Sequence, residues 1–525
     1  MASCHKLTLE DSRGRVPLPR CGGHGRERPA DGTAAETFDS LEGTLHDPGR
    51  WGLSSEAIGT LGARLYEFWQ RFRGCFKTST RDSSGRAYAY LRGQLPMDGE
   101  RNCANMARNM TGDDGQALQH FMSNSPWSGP VVFRQMQAEL TATPALAHGS
   151  TLIVDESADE KAGTHNAGAS RQYNGRMGKV DMCRVDTCLT YANATMRLWT
   201  RVDGELFLPA EWFGPDFAQR RKEWGMPEER TFETKITLGL KMVKRAKAHG
   251  LPFERLACDA LYGRDSQLRA DVDTEGVRYA AQVPADTPVY LSEPQVGVPQ
   301  KRSKRGRPRT RLQVLSPHTP QEVRILAGRP DTPWQHLYVR QTERGWLEAD
   351  FAIRPVWTVA EGKMPRAEWL VIRRDAEGDC AYTRLNAPAD TPAPHLMAWS
   401  CQRYFTERTF EDAKTEIGWD EFQAQKYRAW EHHLALTGLA LWFVAQTKLE
   451  WMQAYARDPD LARQLEVEVL PALSTANVRE LLKAVLPVPQ LTPQQATELV
   501  ITHLVNRARA TSSRLRCQVK PHDSS

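Results

Sequence analysis

The sequence predicts an α/β protein: a mixed sheet preceded by a helical region and interrupted by a β-rich segment. Three patterns support this. From residue 54 to 147 apolar positions recur at helical spacing, as in Ala57, Leu61, Leu65, Phe68 and Trp69. From residue 150 short apolar runs succeed one another, at Thr151–Asp155, Val185–Tyr191, Thr195–Thr200 and Glu205–Pro209. Asn193 and Asp203-Gly204 supply turn signals between them. A helix over residues 234–249, a strand Phe253–Asp259, a helix over 266–275 and a strand Val277–Val283 then alternate, the pattern of a mixed sheet.

The third pattern is a change of texture at residue 286. Runs at Leu312–Leu315, Glu322–Leu326, Leu337–Gln341, Trp369–Arg374 and Tyr382–Leu385 read as strands punctuated by Pro and Gly. Helical periodicity returns at His395–Ile417, as one helix or two abutting ones, and at Ala429–Gln453. The expected organisation is a disordered tail (1–36), a helical N-terminal domain (37–148), and the first part of an α/β core (149–285). A β-rich insertion domain (286–392), the helical second part of the core (393–455) and a C-terminal helical region (456–525) complete the chain.

A chain of 525 residues has ample length for a large core. The most apolar stretch, Leu434–Val444, is too short to span a bilayer and is flanked by His432 and His433. No apolar leader opens the chain, so a cytoplasmic location is expected. Ten scattered cysteines without a CxxC pair read as reduced thiols, and Cys4, His5, Cys21 and His24 fit no common zinc spacing. The net charge of +5 is too small to establish a polyanionic partner, but its distribution is uneven: Lys301, Arg302, Lys304, Arg305, Arg307, Arg309 and Arg311 crowd into eleven residues. That run suits phosphate contact in a narrow minor groove, or equally a solvated basic loop touching DNA without specificity.

Asp155 and Asp259 each end an apolar run. Two strands of one sheet ending in aspartate bring like charges together, and Mg²⁺ or Mn²⁺ suits such a pair because hard cations prefer carboxylate oxygen. A third acid from a helix would complete a two-metal site. Spacing alone does not choose it among 64 acidic residues.

Four blocks in order resemble the DDE transposases of bacterial insertion sequences, specifically the insertion sequence 701-like group, related to the superfamily with a Tyr-Arg-Glu-Lys signature. The first comprises Tyr90-Leu-Arg-Gly93, Gln119-His-Phe and Pro126-Trp127. The second runs from Leu152-Ile-Val-Asp155 through Lys161-Ala-Gly-Thr-His165 and Tyr173-Asn-Gly175 to Gly178-Lys179. Cys258-Asp259-Ala-Leu-Tyr262-Gly263 with Val283-Pro284 forms the third, and Arg403-Tyr-Phe-Thr-Glu407 through Lys414 and Gly418 the fourth.

The resemblance implies an RNase H-like catalytic core, with Asp155, Asp259 and Glu407 as catalytic acids and ligands of two Mg²⁺ (or Mn²⁺) ions per site. It implies cut-and-paste transposition: cleavage at element ends, then strand transfer. The expected partners are double-stranded DNA, as terminal inverted repeats and as target, and a second copy in a DNA-bound homodimer. The signature's Arg falls on Arg403 and its Lys on Lys414; at i, i+4 and i+11 with Glu407 they share roughly one helix face. Its Tyr would fall on Ser400, a departure, with Tyr404 nearby on another face. Glu411 and Glu416 are rivals for the third acid. Lys161, His165, Arg171 and Lys179 are expected to touch phosphates in an active-site loop, or else to lie on a surface hairpin. Trp334, Trp346, Trp357 and Trp369 lie in the inserted segment, where an aromatic could hold an extruded base. Two other readings stay open: a domesticated DNA-binding protein, and a nuclease without strand transfer.

Overall fold

The computed structural model describes residues 43–109, 115–161, 163, 165–299, 310–315, 317–342, 345–486 and 492–518. The basic run from Lys301 to Arg309 and the N-terminal tail with Cys4, His5, Cys21 and His24 lie outside the described residues. The main helices are α1 (Leu61–Phe72), α2 (Ser84–Gln94), α3 (Cys103–Asn109), α4 (Gly115–Asn124), α5 (Gly129–Thr141), α6 (Lys235–Ala248), α7 (Ser266–Thr274), α8 (Ala393–Ser400), α9 (Tyr404–Glu411), α10 (Tyr427–Ala454), α11 (Thr475–Val485) and α12 (Pro493–Gln518). The main strands are β1 (Ser150–Glu160), β2 (Ser170–Asn174), β3 (Lys179–Asn193), β4 (Leu198–Phe207), β5 (Arg255–Cys258), β6 (Arg278–Val283), β7 (Gln335–Thr342), β8 (Gly345–Thr358), β9 (Arg366–Arg374) and β10 (Cys380–Leu385).

The expected helices of the N-terminal region form, but not as a separate unit. In α1 the buried stripe Leu61, Leu65, Phe68, Trp69 and Phe72 needs an apolar partner. It finds one in the 28-residue α10, which is buried around most of its circumference. Phe68 meets Phe443 edge-on at 5.3 Å, and Trp127 stacks on His432 at 3.6 Å. A Cβ on Gly129 would lie 2.9 Å from the Glu431 carbonyl, so glycine lets α5 close on α10. One apolar cluster therefore runs from α1 through α10 to β1, β3 and β4. His432 and His433 are structural: the ring nitrogens of His432 lie 2.8 Å from the Met122 and Trp127 carbonyls, and His433 Nδ1 lies 3.0 Å from the Tyr90 hydroxyl. No described helix is long and apolar enough to cross a membrane.

A ten-stranded mixed sheet runs in the order β7-β8-β9-β10-β6-β5-β1-β3-β2, with β4 also pairing with β3. Only β1 with β5 and β5 with β6 are parallel; the other pairs within it are antiparallel. Parallel neighbours need crossovers, and α6 and α7 supply them. Thr234 caps α6 by accepting from the Thr237 amide, and Asp265 caps α7 by accepting from Leu268. Each helix is followed by a glycine with positive φ, Gly250 and Gly276. The runs read as Thr195–Thr200 and Glu205–Pro209 belong largely to one strand, β4, and Asp203-Gly204 is no turn. Asp203 is buried and paired with Arg245 at 2.7 Å, while a Cβ on Gly204 would meet Leu434 of α10 at 3.8 Å.

The β-rich segment extends the central sheet instead of standing apart: β10 pairs with β6 from Leu385 opposite Ala280 to Tyr382 opposite Val283. The buried Glu368 carboxylate pins this join. It accepts from Tyr279, from Thr358 at 2.7 Å and from Arg384 Nε at 2.9 Å. The run read as Glu322–Leu326 is mostly a short helix, Val323–Ala327. Strand β8 was hidden by Pro355, which normally demotes a strand; it falls beyond Phe351, where pairing with β7 ends.

Gly263 sits where the chain leaving β5 passes β6, and a Cβ there would lie 1.9 Å from the Gln282 carbonyl oxygen. Gly85, exposed at the start of α2, has nothing within 4 Å of such an atom. In urea unfolding, Gly263→Ala should cost about 1–3 kcal/mol or more, while Gly85→Ala should be neutral or gain up to about 1 kcal/mol. Equal effects would refute the close approach.

Candidate active site

The site begins with a register. Val154 of β1 lies opposite Cys258 of β5, so Asp155 and Asp259 occupy the next positions of two parallel neighbours. Asp155 does not end its strand: β1 continues to Glu160 against β3. It stands where the β5 edge of β1 becomes free, because after Cys258 the chain turns into a one-turn helix, Ala260–Gly263. Asp259 caps that turn, its Oδ1 accepting from the amides of Leu261 at 3.0 Å and Tyr262 at 3.3 Å.

Helix α9 lies across the strands. Phe405, Thr406 and Thr409 are buried on its inner side; Phe405 packs on Ile153, Ala192 and Ala257, and the Thr406 hydroxyl meets that of Thr190 at 3.0 Å. That contact fixes the rotation of the helix. Arg403, at its N-terminus, donates Nη1 to Asp155 Oδ2 at 2.9 Å and Nη2 to Glu407 Oε1 at 2.5 Å. One guanidinium thus joins the first and third expected acids.

Burial pushes the Asp155 carboxyl up to about 7; Arg403 opposes this and Asp259 adds to it. Burial also pulls Arg403 down, but Asp155 and Glu407 outweigh it and hold the guanidinium above its ordinary value. Asp155 is 7% exposed, whereas the Glu407 side chain is 55% exposed, so the site grades from dry strand to open rim. Glu156 is held beside it by Lys235 at 2.9 Å and by the Tyr262 hydroxyl at 3.1 Å. The oxygen-only donor chemistry of the acids suits a hard divalent cation. Among the described residues, no three His, Cys, Asp or Glu side chains close around a single point. The third acid stands one guanidinium away from the first.

Other expected contacts fall elsewhere. After Glu411 a turn of π-helix, Asp412–Glu416, widens the coil and rotates the residues beyond it. Lys414 therefore leaves the face of Arg403 and Glu407: its amine lies 3.5 Å from the Ala158 carbonyl and 5.5 Å from the Trp419 ring, lowered in pKa by burial. Lys161 is also turned inward, 2.6 Å from Asp159 and 4.8 Å from the Trp430 ring. His165, Arg171 and Lys179 are exposed, Lys179 pairing with Asp181 at 2.9 Å. Ser400 is buried and donates to the Met397 carbonyl at 2.7 Å. Tyr404, expected on another face, shares a groove with Arg403 and Glu407. Glu416 is tied to Arg479 at 2.5 Å, while Glu411 lines the groove. Of the four tryptophans Trp346 is the exposed one, at 46%; Trp334 and Trp369 pack against apolar clusters and Trp357 is half-buried. Arg340 and Arg373 also line the groove, and nothing in the alternation of their strands marked them.

Two aspartates thus occupy adjacent positions on neighbouring parallel strands of a mixed α/β scaffold, beneath a helix that carries a glutamate. Residues 71–345 match the profile of the DDE superfamily endonucleases, and the chain belongs to that family. It is 26% identical over 322 residues to the probable transposase for insertion sequence element IS701 of Microchaete diplosiphon, covering 60% of this chain and 70% of that protein. The family match contains Asp155 and Asp259 and stops before Glu407.

With the carboxyl near 7 when folded and about 3.9 when unfolded, the stabilising effect of its proton is complete below pH 4 and is lost as pH rises through 7. In metal-free buffer, Asp155→Asn should therefore gain about 2–3 kcal/mol on wild type between pH 5 and pH 8. Urea unfolding at the two pH values measures this; no relative gain would refute the buried carboxylate.

Proposed function

We propose that this chain is a transposase that cleaves DNA at the ends of an insertion sequence and joins the freed ends to target DNA, working from an RNase H-like core. The observation that carries the reading is the placement of Asp155 and Asp259 side by side on parallel strands, with Arg403 and Glu407 of one helical turn above them. In this reading the three acids hold two Mg²⁺ or Mn²⁺ ions. Such ions activate the attacking oxygen and stabilise the leaving oxygen of a phosphodiester.

The residues of the chain do the positioning. The strand register fixes two acids beside one phosphate, and the buried face of α9 fixes the third. Arg403 offsets the mutual repulsion of the acids and offers a guanidinium to a phosphate oxygen. Water attacks phosphorus at the element boundary and the P–O3′ bond breaks, freeing a 3′-OH. That hydroxyl attacks a target phosphodiester, so one P–O bond forms as another breaks. The N-terminal helices read the terminal inverted repeats, and a DNA-bound homodimer holds the two ends together. In this reading His165, Arg171 and Lys179, which are exposed, contact phosphates, and the Lys301–Arg309 run adds charge for the same task.

The test is a cleavage assay on duplex DNA carrying the two ends of the encoding element, with Mg²⁺. Wild type should cut at the boundary; EDTA should abolish cutting, and Asp155→Asn, Asp259→Asn and Glu407→Gln should each lower it by about a thousandfold or more while retaining DNA binding. Cutting that survives Glu407→Gln would move the third acid to Glu411. Binding without cutting by wild type would reject the enzymatic reading.

A further inference from the structure

A groove of about 530 Å³ opens between α9 and the face of β7, β8 and β9, and runs into the acid cluster through Arg403 and Glu407. Its size is within the roughly 300–1,000 Å³ of ligand sites, and its lining is more polar than apolar. Four guanidiniums line it, those of Arg340, Arg373, Arg403 and Arg408, against the carboxylates of Glu407 and Glu411. Arg403 is engaged by Asp155 and Glu407, and Arg408 by Glu411 at 2.7 Å.

The other two are placed differently. Arg340, from β7, lies with its guanidinium carbon 3.8 Å from the centre of the Tyr404 ring and 5.7 Å from that of Phe405. Its Nε is buried and has no hydrogen-bond acceptor among the described residues. Among the described residues Arg373, from β9, reaches only the Cys401 sulfur, at 3.9 Å. Neither has a carboxylate partner among the described residues. Two cations held on a hydrogen-bonded sheet, one lying over an aromatic ring, are preorganised for an anion; a guanidinium fork matches phosphate oxygen. Leu347 and Tyr404 give the same groove apolar surface for a sugar or base.

We propose that Arg340 and Arg373 form a phosphate clamp that holds a DNA strand beside the phosphodiester cut at the acid cluster. The ligand is the strand's own backbone phosphate, next to the reacting one. The inference rests on the reading of the chain as a DNA-cleaving enzyme and adds to it two residues from the inserted strands.

The experiment measures the affinity of full-length protein for the same end-bearing duplex over a salt series. Arg340→Gln and Arg373→Gln should each weaken binding by about tenfold and flatten the slope of log K against log salt by about 0.7–0.9. Arg329→Gln, a half-buried arginine paired with Asp331 outside the groove, should change neither. A neutral methylphosphonate is then walked through the phosphates flanking the cut. At one position it should weaken wild type about tenfold and leave the double variant unaffected. If Arg340→Gln lowers the melting temperature, Arg373→Gln and Arg340→Lys carry the test. Wild-type cutting with salt slopes and methylphosphonate sensitivity unchanged in the variants would overturn the clamp and leave the transposase reading intact. Wild type that neither binds nor cuts the duplex would overturn both.

Discussion

The parallel pairing of β1 with β5 is the constraint on which the rest of the site depends. Its register ends at Val154 and Cys258, and the next residue on each strand is an aspartate. The strands are held to ladder spacing by backbone hydrogen bonds, so the carboxylates cannot move apart to relieve their repulsion. Such a pair must be offset by something cationic. In this structure Arg403 does so, reaching Asp155 from a helix that is itself seated on the same strands through Phe405 and Thr406.

The helix and the strands are therefore mutually dependent. Arg403 stands over the acids because the apolar side of α9 is buried. That side is buried because β1, β3 and β5 present Ile153, Ala192 and Ala257 to it. The π turn after Glu411 marks the end of this dependence. Beyond it the chain answers to other partners: Asp412 accepts from Trp199 and Thr475, both at 2.9 Å, and Lys414 turns toward β1.

Much of this was legible in the sequence, for identifiable reasons. The apolar runs ending in Asp155 and Asp259 announced both strands and their order, and the caps Thr234 and Gly250 bounded the crossover helix. The helix stripe from Leu61 to Phe72 was plain. The features that stayed hidden depend on contacts distant in sequence. No local pattern tells that β10 will hydrogen-bond to β6, about a hundred residues earlier, and so a sheet extension reads as a domain of its own. Pro355 disguised β8. Lys414 was placed by ideal helical spacing, which one turn of π-helix cancels. Lys161 carries the charge of a surface residue but is drawn inward by Asp159 and Trp430. Arg340 and Arg373 lie on strands whose alternation looks like any other.

The join between β10 and β6 has a consequence for how this architecture can change. A domain tethered by linkers can be lost or exchanged with little effect on its host. Here strands β7 to β10 cover one edge of β6 through β10, while its other edge is taken by β5. Removing them would leave the backbone of Arg278–Val283 unpaired, a template for edge-to-edge association. It would also strip partners from Tyr279 and Arg269 by deleting Glu368 and Arg366. Shortening the segment is tolerable in its loops, where length costs little, and not in its strands. Variation in this lineage should therefore accumulate in the connections between β6 and β7, while the strand that closes β6 stays in place as a solubility requirement independent of any chemistry.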